Sequence, residues 1–133
     1  MVHAKGFNNT GIQEILDAAG VPKGSFYFYF KSKEDFGLHL IDYFGETLVS
    51  NAMEILQNTS IPPMERLDSA MERNQQRFER IQFKYGCPIG NMMQEMADIS
   101  NAFRERTTLM YARVCSCYES CLREGQQAGD ISP

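Results

Sequence analysis

The chain has 133 residues, of which 43% are hydrophobic, and its net charge is −4 at neutral pH. This length suits one or two small domains, and the apolar fraction is sufficient for a buried core. No apolar run approaches the roughly 20 residues of a membrane span, and no secretory signal is visible, which favours a cytoplasmic protein without membrane contact. Residues 1–34 carry four lysines and three acidic residues, whereas residues 35–133 carry nine basic and fourteen acidic residues. The acidic remainder disfavours indiscriminate binding to polyanions.

The first predicted feature is a pair of short helices between residues 10 and 30. Thr10 is predicted to cap the first helix, with Gln13 completing a capping box. Gly20 suits the left-handed conformation that ends a helix, and Pro22 suits the first turn of the next one. The first helix has four apolar residues at the spacing of a buried stripe: Ile12, Ile15, Leu16 and Ala19. Two short helices joined by a tight turn can place the second in the major groove of DNA.

The second short helix carries aromatic residues whose spacing separates an inner from an outer face. Phe26 and Phe30 lie four residues apart and are predicted to point inward. Tyr27 and Tyr29 then lie toward other faces, where their hydroxyl groups can reach phosphate oxygens. Near the start of this helix, two small residues allow a close approach of the backbone to DNA: Gly24 and Ser25.

A long helix is predicted from Ser32, its N-cap, to about Gln57. Lys33 lies in its first turn, where the helix dipole disfavours a cation, and a lysine there is consistent with a phosphate contact. The apolar stripe of this helix comprises Phe36, Leu40, Phe44, Leu48, Met53 and Ile55. Residues 58–63, with two prolines at their end, are predicted to form a linker.

Three more helices are predicted after the linker. The first runs from Pro63 to about Tyr85 and stops at Gly86, and the third covers residues 102–124, with Ser100 or Asn101 as its N-cap and Gly125 as its C-cap. One side of the first is expected to be solvated and carries Arg66, Arg73, Arg77 and Arg80. The middle helix has an apolar stripe of Ile89, Met92, Met93, Met96 and Ala97. The inner stripe of the third comprises Phe103, Met110, Val114, Cys117 and Cys121.

One dense pattern runs through Gly6-Phe7, Thr10, Ile15, Ala18-Ala19-Gly20-Val21, Lys23-Gly24-Ser25-Phe26-Tyr27, Tyr29-Phe30 and Ser32-Lys33-Glu34. This pattern resembles the TetR/AcrR family of bacterial transcriptional regulators. A second, less specific resemblance to one branch of that family lies in Gly86-Cys87, Gly90-Asn91, Glu95 and Leu122-Arg123-Glu124-Gly125. The chain departs from the family pattern at Tyr29, where His is usual, and at Pro22, where Ser or Thr is common.

The resemblance implies an all-α fold in which an N-terminal helix-turn-helix DNA-binding domain is joined by a long helix to a helical ligand-binding and dimerisation domain. Residues 1–45 are expected to form the first domain, with a truncated first helix, and residues 46–133 an effector-binding domain that lacks the C-terminal dimerisation helices. Carried over to this sequence, the residues that would contact DNA are Thr10, Lys23, Gly24, Ser25, Tyr27, Tyr29 and Lys33.

The resemblance also implies a function, that of a ligand-responsive repressor of transcription. Such a protein would bind a palindromic double-stranded DNA operator as a homodimer. A small hydrophobic or electrophilic effector, bound in the second domain, would release it from the operator. Adaptable methionine side chains suit a permissive pocket, although they equally suit an ordinary core. The candidate ligand-binding residues are Met71, Asn74, Phe78, Met92, Met96 and Met110.

Cys87 precedes Pro88 near a predicted helix start, where the helix dipole can stabilise a thiolate. A thiol-based sensor of electrophiles or oxidants is therefore an alternative function. A small-molecule binding protein or an enzyme on the same fold, without DNA binding, is another. His3 and His39 lack an evident nucleophile, and the cysteines lack zinc-ligand spacing, so we expect neither an enzyme, nor a metal, nor a cofactor.

Overall fold

The computed structural model describes residues 2–132, apart from the side chain of His3, and all its regular elements in that range are helices. They are α1 (Val2–Lys5), α2 (Ile12–Ala19), α3 (Lys23–Tyr29), α4 (Lys33–Leu56), α5 (Pro63–Arg80), α6 (Pro88–Met96) and α7 (Asn101–Ala128). The prediction of an all-α fold is confirmed. No described helix has the length and apolar character needed to cross a membrane.

The chain divides into two compact units that do not follow chain order. The first unit contains the chain up to Phe44 together with Tyr85–Thr108, and the second contains Gly45–Lys84 together with the chain from Leu109 onward. Helices α4 and α7 therefore each contribute to both units. The predicted domains, 1–45 and 46–133, are continuous segments, whereas α6 and the start of α7 group with the amino-terminal helices.

The N-cap of α2 is Gly11, so the prediction that Thr10 caps this helix is wrong. The Glu14 carboxylate accepts a hydrogen bond from the Gly11 backbone N–H over 2.7 Å, a role that the sequence pattern predicts for Gln13. Thr10 is fully buried, and its hydroxyl donates to the Gly6 carbonyl over 2.6 Å. The predicted buried stripe is also only partly realised, because Leu16 is buried while Ala19 is exposed.

Helix α4 has the predicted length, but its most buried face differs from the predicted stripe. The buried residues are Gly37, Ile41, Gly45, Val49, Ala52 and Leu56. The predicted residues Phe36, Leu40, Phe44, Leu48 and Ile55 are half-buried, and Met53 is exposed. The difference arises because glycines at two positions let α7 and the loop residue Phe7 approach closely, a role that a search for large apolar residues does not detect.

Helix α5 ends at Arg80, five residues before the predicted end at Tyr85. Positive φ angles at Gln82, Phe83 and Tyr85 show that the segment after Ile81 leaves the helical path before Gly86 is reached. A second correction concerns Arg66, which was expected on the solvated side of this helix. Only 2% of Arg66 is exposed, and the residue lies within the second unit.

Gly125 lies inside α7 and is not its C-cap, contrary to the prediction. The helix continues to Ala128, and Gly129, with φ of 83°, follows it. A Cβ atom at Gly125 would lie 2.9 Å from the Ile131 side chain and 3.6 Å from Pro63. Gly125 is therefore required for close packing, not for a left-handed turn.

The second unit has a core in which small side chains contact larger ones. Its buried members are Ala52, Leu56, Leu67, Ala70, Cys117 and Cys121, with Ile55, Tyr118 and Ile131 packed against them. The first unit is built around Phe7, Ile41, Ile89, Met92 and Phe103, all of them buried. The Phe7 and Phe103 rings pack with their centroids 5.3 Å apart, so α7 contributes directly to the core beneath the amino-terminal helices.

Candidate nucleic-acid interface and ligand cavity

A three-residue turn, Gly20–Pro22, fixes α2 and α3 with respect to each other. Gly20 is left-handed, with φ of 67°, as the sequence predicts, and its N–H donates to the Asp17 carbonyl over 3.3 Å. The Val21 N–H donates to the Leu16 carbonyl over 3.1 Å, which completes a hydrogen-bonded helix end. Pro22 precedes α3 as its N-cap, one position before the predicted first turn. The segment is a helix-turn-helix.

The inner face of α3 is held by contacts among aromatic rings. Phe26 is buried, and its ring lies 5.3 Å from that of Phe30 and 5.8 Å from that of Phe36 on α4, measured between centroids. The Phe30 and Phe36 rings are edge to face at 5.1 Å. Such pairs add stability beyond the area they bury. The predicted inward orientation of Phe26 is confirmed, and α3 is fixed in the first unit by its inner side.

The outer face of α3 is exposed and rich in aromatic side chains. Tyr27, Phe28 and Tyr29 are 59%, 82% and 70% exposed, and Lys23 and Gly24 are exposed as well. Ser25 is half-buried. Exposure of three neighbouring aromatic rings is costly in water, which is why such a surface points to a binding partner.

Two lysines lie between the end of α3 and the first turn of α4. Ser32 caps α4, as predicted, through a hydrogen bond of 3.0 Å from the Asp35 N–H to its hydroxyl. Lys31 is exposed, and its backbone N–H donates to the Asp35 carboxylate over 2.9 Å. Lys33 is half-buried, with Nζ 2.9 Å from the Asn8 carbonyl oxygen and 4.9 Å from the centre of the Phe7 ring. Lys33 therefore stabilises the loop before α2 through its hydrogen bond to Asn8.

Glu95 on α6 holds the loop before α2 through two hydrogen bonds. Glu95 accepts a hydrogen bond from the Asn8 backbone N–H over 2.8 Å, and its carbonyl accepts one from the Asn8 side chain. Gly6, with φ of 92°, lies so close that a Cβ atom would be 3.0 Å from the Glu95 carboxylate.

A second carboxylate, that of Glu14, lies at the start of α2. The hydrogen bond from Lys5, and then that from the Gly11 N–H, lower the pKa of Glu14. This carboxylate therefore stays ionised at its cap.

At three positions, the residues available to the candidate interface differ from those that the sequence predicts. Thr10 was expected to bind phosphate, but its side chain is buried and engaged with Gly6, so it supports the loop from within. Phe28 and Lys31 were not predicted, although both are exposed. Phe28 lies two residues after the inward Phe26, and that spacing on a helix already points it away from the core.

The second unit contains a cavity of about 550 Å³. Its lining comprises Leu48, Asn51, Ala52, Ile55, Ala70, Arg73, Asn74, Gln76, Arg77, Arg80, Val114 and Tyr118. Asn74 donates a hydrogen bond to the Tyr118 hydroxyl over 3.2 Å within this lining. A volume of this size is within the usual range for small-molecule sites.

Of the six residues predicted to bind a ligand, Asn74 lies in this cavity and the others lie elsewhere. Met71 is 57% exposed, and Phe78 is half-buried outside the lining. Met92 and Met96 are buried in the first unit, where Met92 borders a separate cavity of about 180 Å³. Met110 is buried against Gly45 in the second unit.

The cysteines form no disulfide in the described part of the chain. Cys87 is half-buried at the N-cap of α6, and Cys115 is exposed. Cys117 and Cys121 are buried, and burial raises the pKa of the Cys121 thiol. Within residues 2–132, no cluster of three or more His, Cys, Asp or Glu side chains has the arrangement of a metal site.

The fold and the exposed α3 face define a helical protein with a helix-turn-helix head, followed by helices that line an open cavity. The family model for bacterial regulatory proteins of the TetR family matches residues 1–40, and that for the tetracyclin repressor-like C-terminal domain matches residues 63–133. The chain belongs to the TetR family, as its sequence pattern predicts. The family is one of regulatory proteins and not of enzymes, which disfavours the enzyme alternative.

Several curated relatives align with nearly the whole chain. The transcriptional regulator AcuR of Cereibacter sphaeroides is 34% identical over 128 residues, which are 96% of this chain and 58% of AcuR. The transcriptional repressor DhaR of a Mycobacterium species is 32% identical over 127 residues, or 96% of this chain and 62% of DhaR. The chain thus spans about 60% of the length of these relatives.

Solved structures show the same fold. A TetR regulatory protein from Rhodobacter sphaeroides superimposes with a TM-score of 0.87 at 34% identity, covering 96% of this chain and 68% of that one. The reduced form of NemR from Escherichia coli gives a TM-score of 0.85 at 27% identity, covering 96% and 66%. The helix-turn-helix head and the helical remainder are therefore those of the family.

Proposed function

We propose that this protein is a ligand-responsive regulator of transcription in the cytoplasm that represses by binding a palindromic DNA operator as a homodimer. The observation that carries the proposal is the division of α3 into two faces. Phe26 and Phe30 hold its inner side, while Lys23 and three aromatic side chains are presented outward. A repressor among the aligned relatives, DhaR, supports the same reading.

In the proposed complex, α3 enters the major groove. Lys23 and Ser25 lie at its start, where side chains of a recognition helix contact base edges, and the exposed Gly24 allows close approach of the backbone. Tyr27 and Tyr29 would donate to phosphate oxygens and fix the register. Phe28 adds an apolar surface suited to a thymine methyl group.

Additional cations beside α3 would contact the neighbouring phosphates. Lys31 is exposed, and the Lys33 ammonium has three donors, one of which is used on the Asn8 carbonyl. The rest of the chain is acidic, so affinity for DNA would depend on this local group and would fall steeply with salt.

A dimer would present two α3 helices to successive major grooves, about 34 Å apart along the duplex. Occupation of the cavity in the second unit by a small effector would favour a conformation whose heads no longer match that spacing. The cavity supports this part of the proposal, because its volume of about 550 Å³ suits a small molecule.

Selection of bound duplexes from a random pool by the protein tests the DNA-binding proposal directly. We expect the selected sequences to converge on a palindrome, since two identical heads read two identical half-sites. Recovery of no preferred sequence, with no binding even in dilute salt, would contradict the proposal.

Two substitutions test the role of α3 in this binding. Lys23→Gln and Tyr29→Phe are each expected to weaken binding to the selected duplex by about tenfold or more, and Lys23→Gln is expected to reduce the salt dependence as well. The matched control is Lys84→Gln, which removes an exposed charge outside the first unit. Fluorescence anisotropy at several salt concentrations measures both effects. Equal affinity of all three variants and the parent would refute the assignment of α3.

A further inference from the structure

The lining of the cavity in the second unit is strongly cationic. Arg73, Arg77 and Arg80 lie at i, i+4 and i+7 on α5, and all three line the cavity. The described lining residues include no aspartate and no glutamate. This is notable in a chain with 17 acidic and 13 basic residues, where an arbitrary cavity is expected to contain carboxylates. The cavity thus concentrates positive charge on one wall.

Two of the three arginines keep their charge uncompensated. Arg73 donates to the Glu54 carboxylate over 2.8 Å, a pair exposed at the surface. The Arg77 guanidinium lies 5.0 Å from the centre of the Phe78 ring, an interaction that orients a cation without neutralising it. Within the described part of the chain, neither Arg77 nor Arg80 has a carboxylate within ion-pair distance.

The helix dipole explains only part of the arrangement of these arginines near the end of α5. Cations in the last turn of a helix interact favourably with its dipole, and Arg77 and Arg80 are in that turn. The dipole does not require that the side chains border a cavity, nor does it account for Arg73 one turn earlier. Arg73 and Arg80 are exposed, so solvation also accommodates their charge, whereas Arg77 is half-buried. An anion-binding wall explains why all three line the same cavity.

The remaining lining supplies hydrogen bonding and apolar contact. Since the Tyr118 hydroxyl accepts a hydrogen bond from Asn74, its own hydrogen stays available to donate to a ligand oxygen. Leu48, Ile55 and Val114 provide aliphatic surface. The cavity thereby combines an anion-binding wall with an apolar one.

We infer that the effector is an amphipathic organic anion, with a carboxylate or phosphate group bound by Arg77 and Arg80 and an aliphatic part against Leu48, Ile55 and Val114. The inference rests on the ligand response in the proposed function and narrows its ligand class. It adds a negative charge to the small hydrophobic or electrophilic effector expected from the sequence. Arginine suits both headgroups, because its planar fork binds their oxygens in pairs.

Three probes with the same aliphatic chain test the inference: octanoate, octyl phosphate and octan-1-ol. Isothermal titration calorimetry with the whole chain, without DNA, is expected to give a dissociation constant at least about tenfold lower for one or both anions than for the alcohol. A preference for octanoate identifies a carboxylate effector, and one for octyl phosphate identifies a phosphate ester. Equal binding of all three, or binding of none, overturns the inference.

Removal of single arginine charges tests whether the anion binds at Arg77 and Arg80. Arg77→Gln and Arg80→Gln are each expected to reduce the preference for the anion by about tenfold, since each removes one uncompensated cation. The matched control is Arg123→Gln, which removes an exposed charge from α7 in the same unit and outside the lining. Anion preference that persists in both cavity variants, with parental helix content by circular dichroism, also overturns the inference.

The outcome is separable from that of the proposed function. Anion binding without any selected operator refutes the DNA-binding proposal and leaves the inferred ligand class intact. Operator binding by a chain that has no preference for anions refutes only the ligand class.

Discussion

Arg66 shows how tertiary contacts place a charged residue inside a protein. Its Nη1 donates to the Leu56 carbonyl over 2.6 Å, and its Nη2 forms an ion pair with Glu124. Its Nε has no hydrogen-bond partner among the described residues. The guanidinium closes the end of α4 by satisfying one of the last carbonyl groups of that helix. A buried charge of this kind depends strongly on its counter-ion.

Removal of that counter-ion is expected to be destabilising. Glu124→Ala should lower the free energy of unfolding by about 1–3 kcal/mol, because Arg66 then keeps a buried charge without its carboxylate. The measurement is urea unfolding followed by circular dichroism. The matched control is Glu119→Ala on the same helix, which breaks an exposed pair with Arg123 and should cost less than about 0.5 kcal/mol.

Replacement of the arginine itself separates charge from packing. Arg66→Met removes the buried charge together with its need for a counter-ion, but it leaves the Leu56 carbonyl without its donor, so it is expected to cost about as much as Glu124→Ala. Equal stability of the Glu124→Ala and Glu119→Ala proteins would show that the pair contributes no more than an exposed one.

At the scale of elements, the glycines of α4 set how closely α7 and the loop residue Phe7 approach it. A Cβ atom at Gly37 would lie 2.6 Å from Phe7 and nearer still to Phe103, two rigid rings in the core of the first unit. At Gly45 the nearest atom would be the Met110 sulfur, at 2.6 Å, on a flexible side chain. Both glycines lower helix propensity, so close packing explains their presence better than local preference does.

The loss of stability on substitution by alanine should depend on how readily the neighbouring side chain can move away from the added methyl group. Gly37→Ala is expected to destabilise the protein by about 1–3 kcal/mol despite the gain in helix propensity, and Gly45→Ala by less. The matched control is Gly24→Ala on α3, which meets no atom within 4 Å and should stabilise the helix by up to about 1 kcal/mol. Thermal unfolding compares all three. A parental melting temperature for Gly37→Ala would be evidence against the tight contact.

At the scale of the whole molecule, the helix-turn-helix head shares its core with distant parts of the chain. Phe7 packs on Phe103 of α7, Asn8 is bonded to Glu95 of α6, and Ser100 donates to the Glu34 carboxylate. These contacts join residues 66 to 96 positions apart in sequence. The first unit is therefore closed by helices that chain order assigns to the effector-binding half.

A fragment limited to the predicted first domain should accordingly fail to fold cooperatively. Residues 1–45 lack Phe103, Glu95 and the apolar side of α6, so their melting by far-ultraviolet circular dichroism is expected to be broad, with reduced helix content. The matched control is a chain of residues 1–108, which contains the complete first unit and should melt more sharply. A sharp transition in the short fragment would contradict this expectation.

The features predicted correctly from the sequence are those that a few neighbouring residues decide. The left-handed Gly20, the Ser32 cap, the inward Phe26 and the length of α4 each depend on local conformation or helical spacing. The family pattern is equally local, because α2, α3 and their turn form one continuous segment. The sequence therefore predicts that Tyr27 and Tyr29 point away from the core, as they do, while it does not single out the exposed Phe28 and Lys31.

The features that sequence patterns misplaced depend on residues distant in the chain. Thr10 is buried through a bond to Gly6, Arg66 is held by Glu124, and Gly125 serves contacts with Ile131 and Pro63. The predicted ligand residues follow helix spacing, whereas the helix face that borders the cavity depends on neighbouring helices, and of the six residues Asn74 lines it. The presence of most helices and the family of this protein follow from local sequence patterns, since local energetics suffice for them. Which charges are buried and which line the cavity depends on contacts between distant segments, because burial is a property of assembled helices.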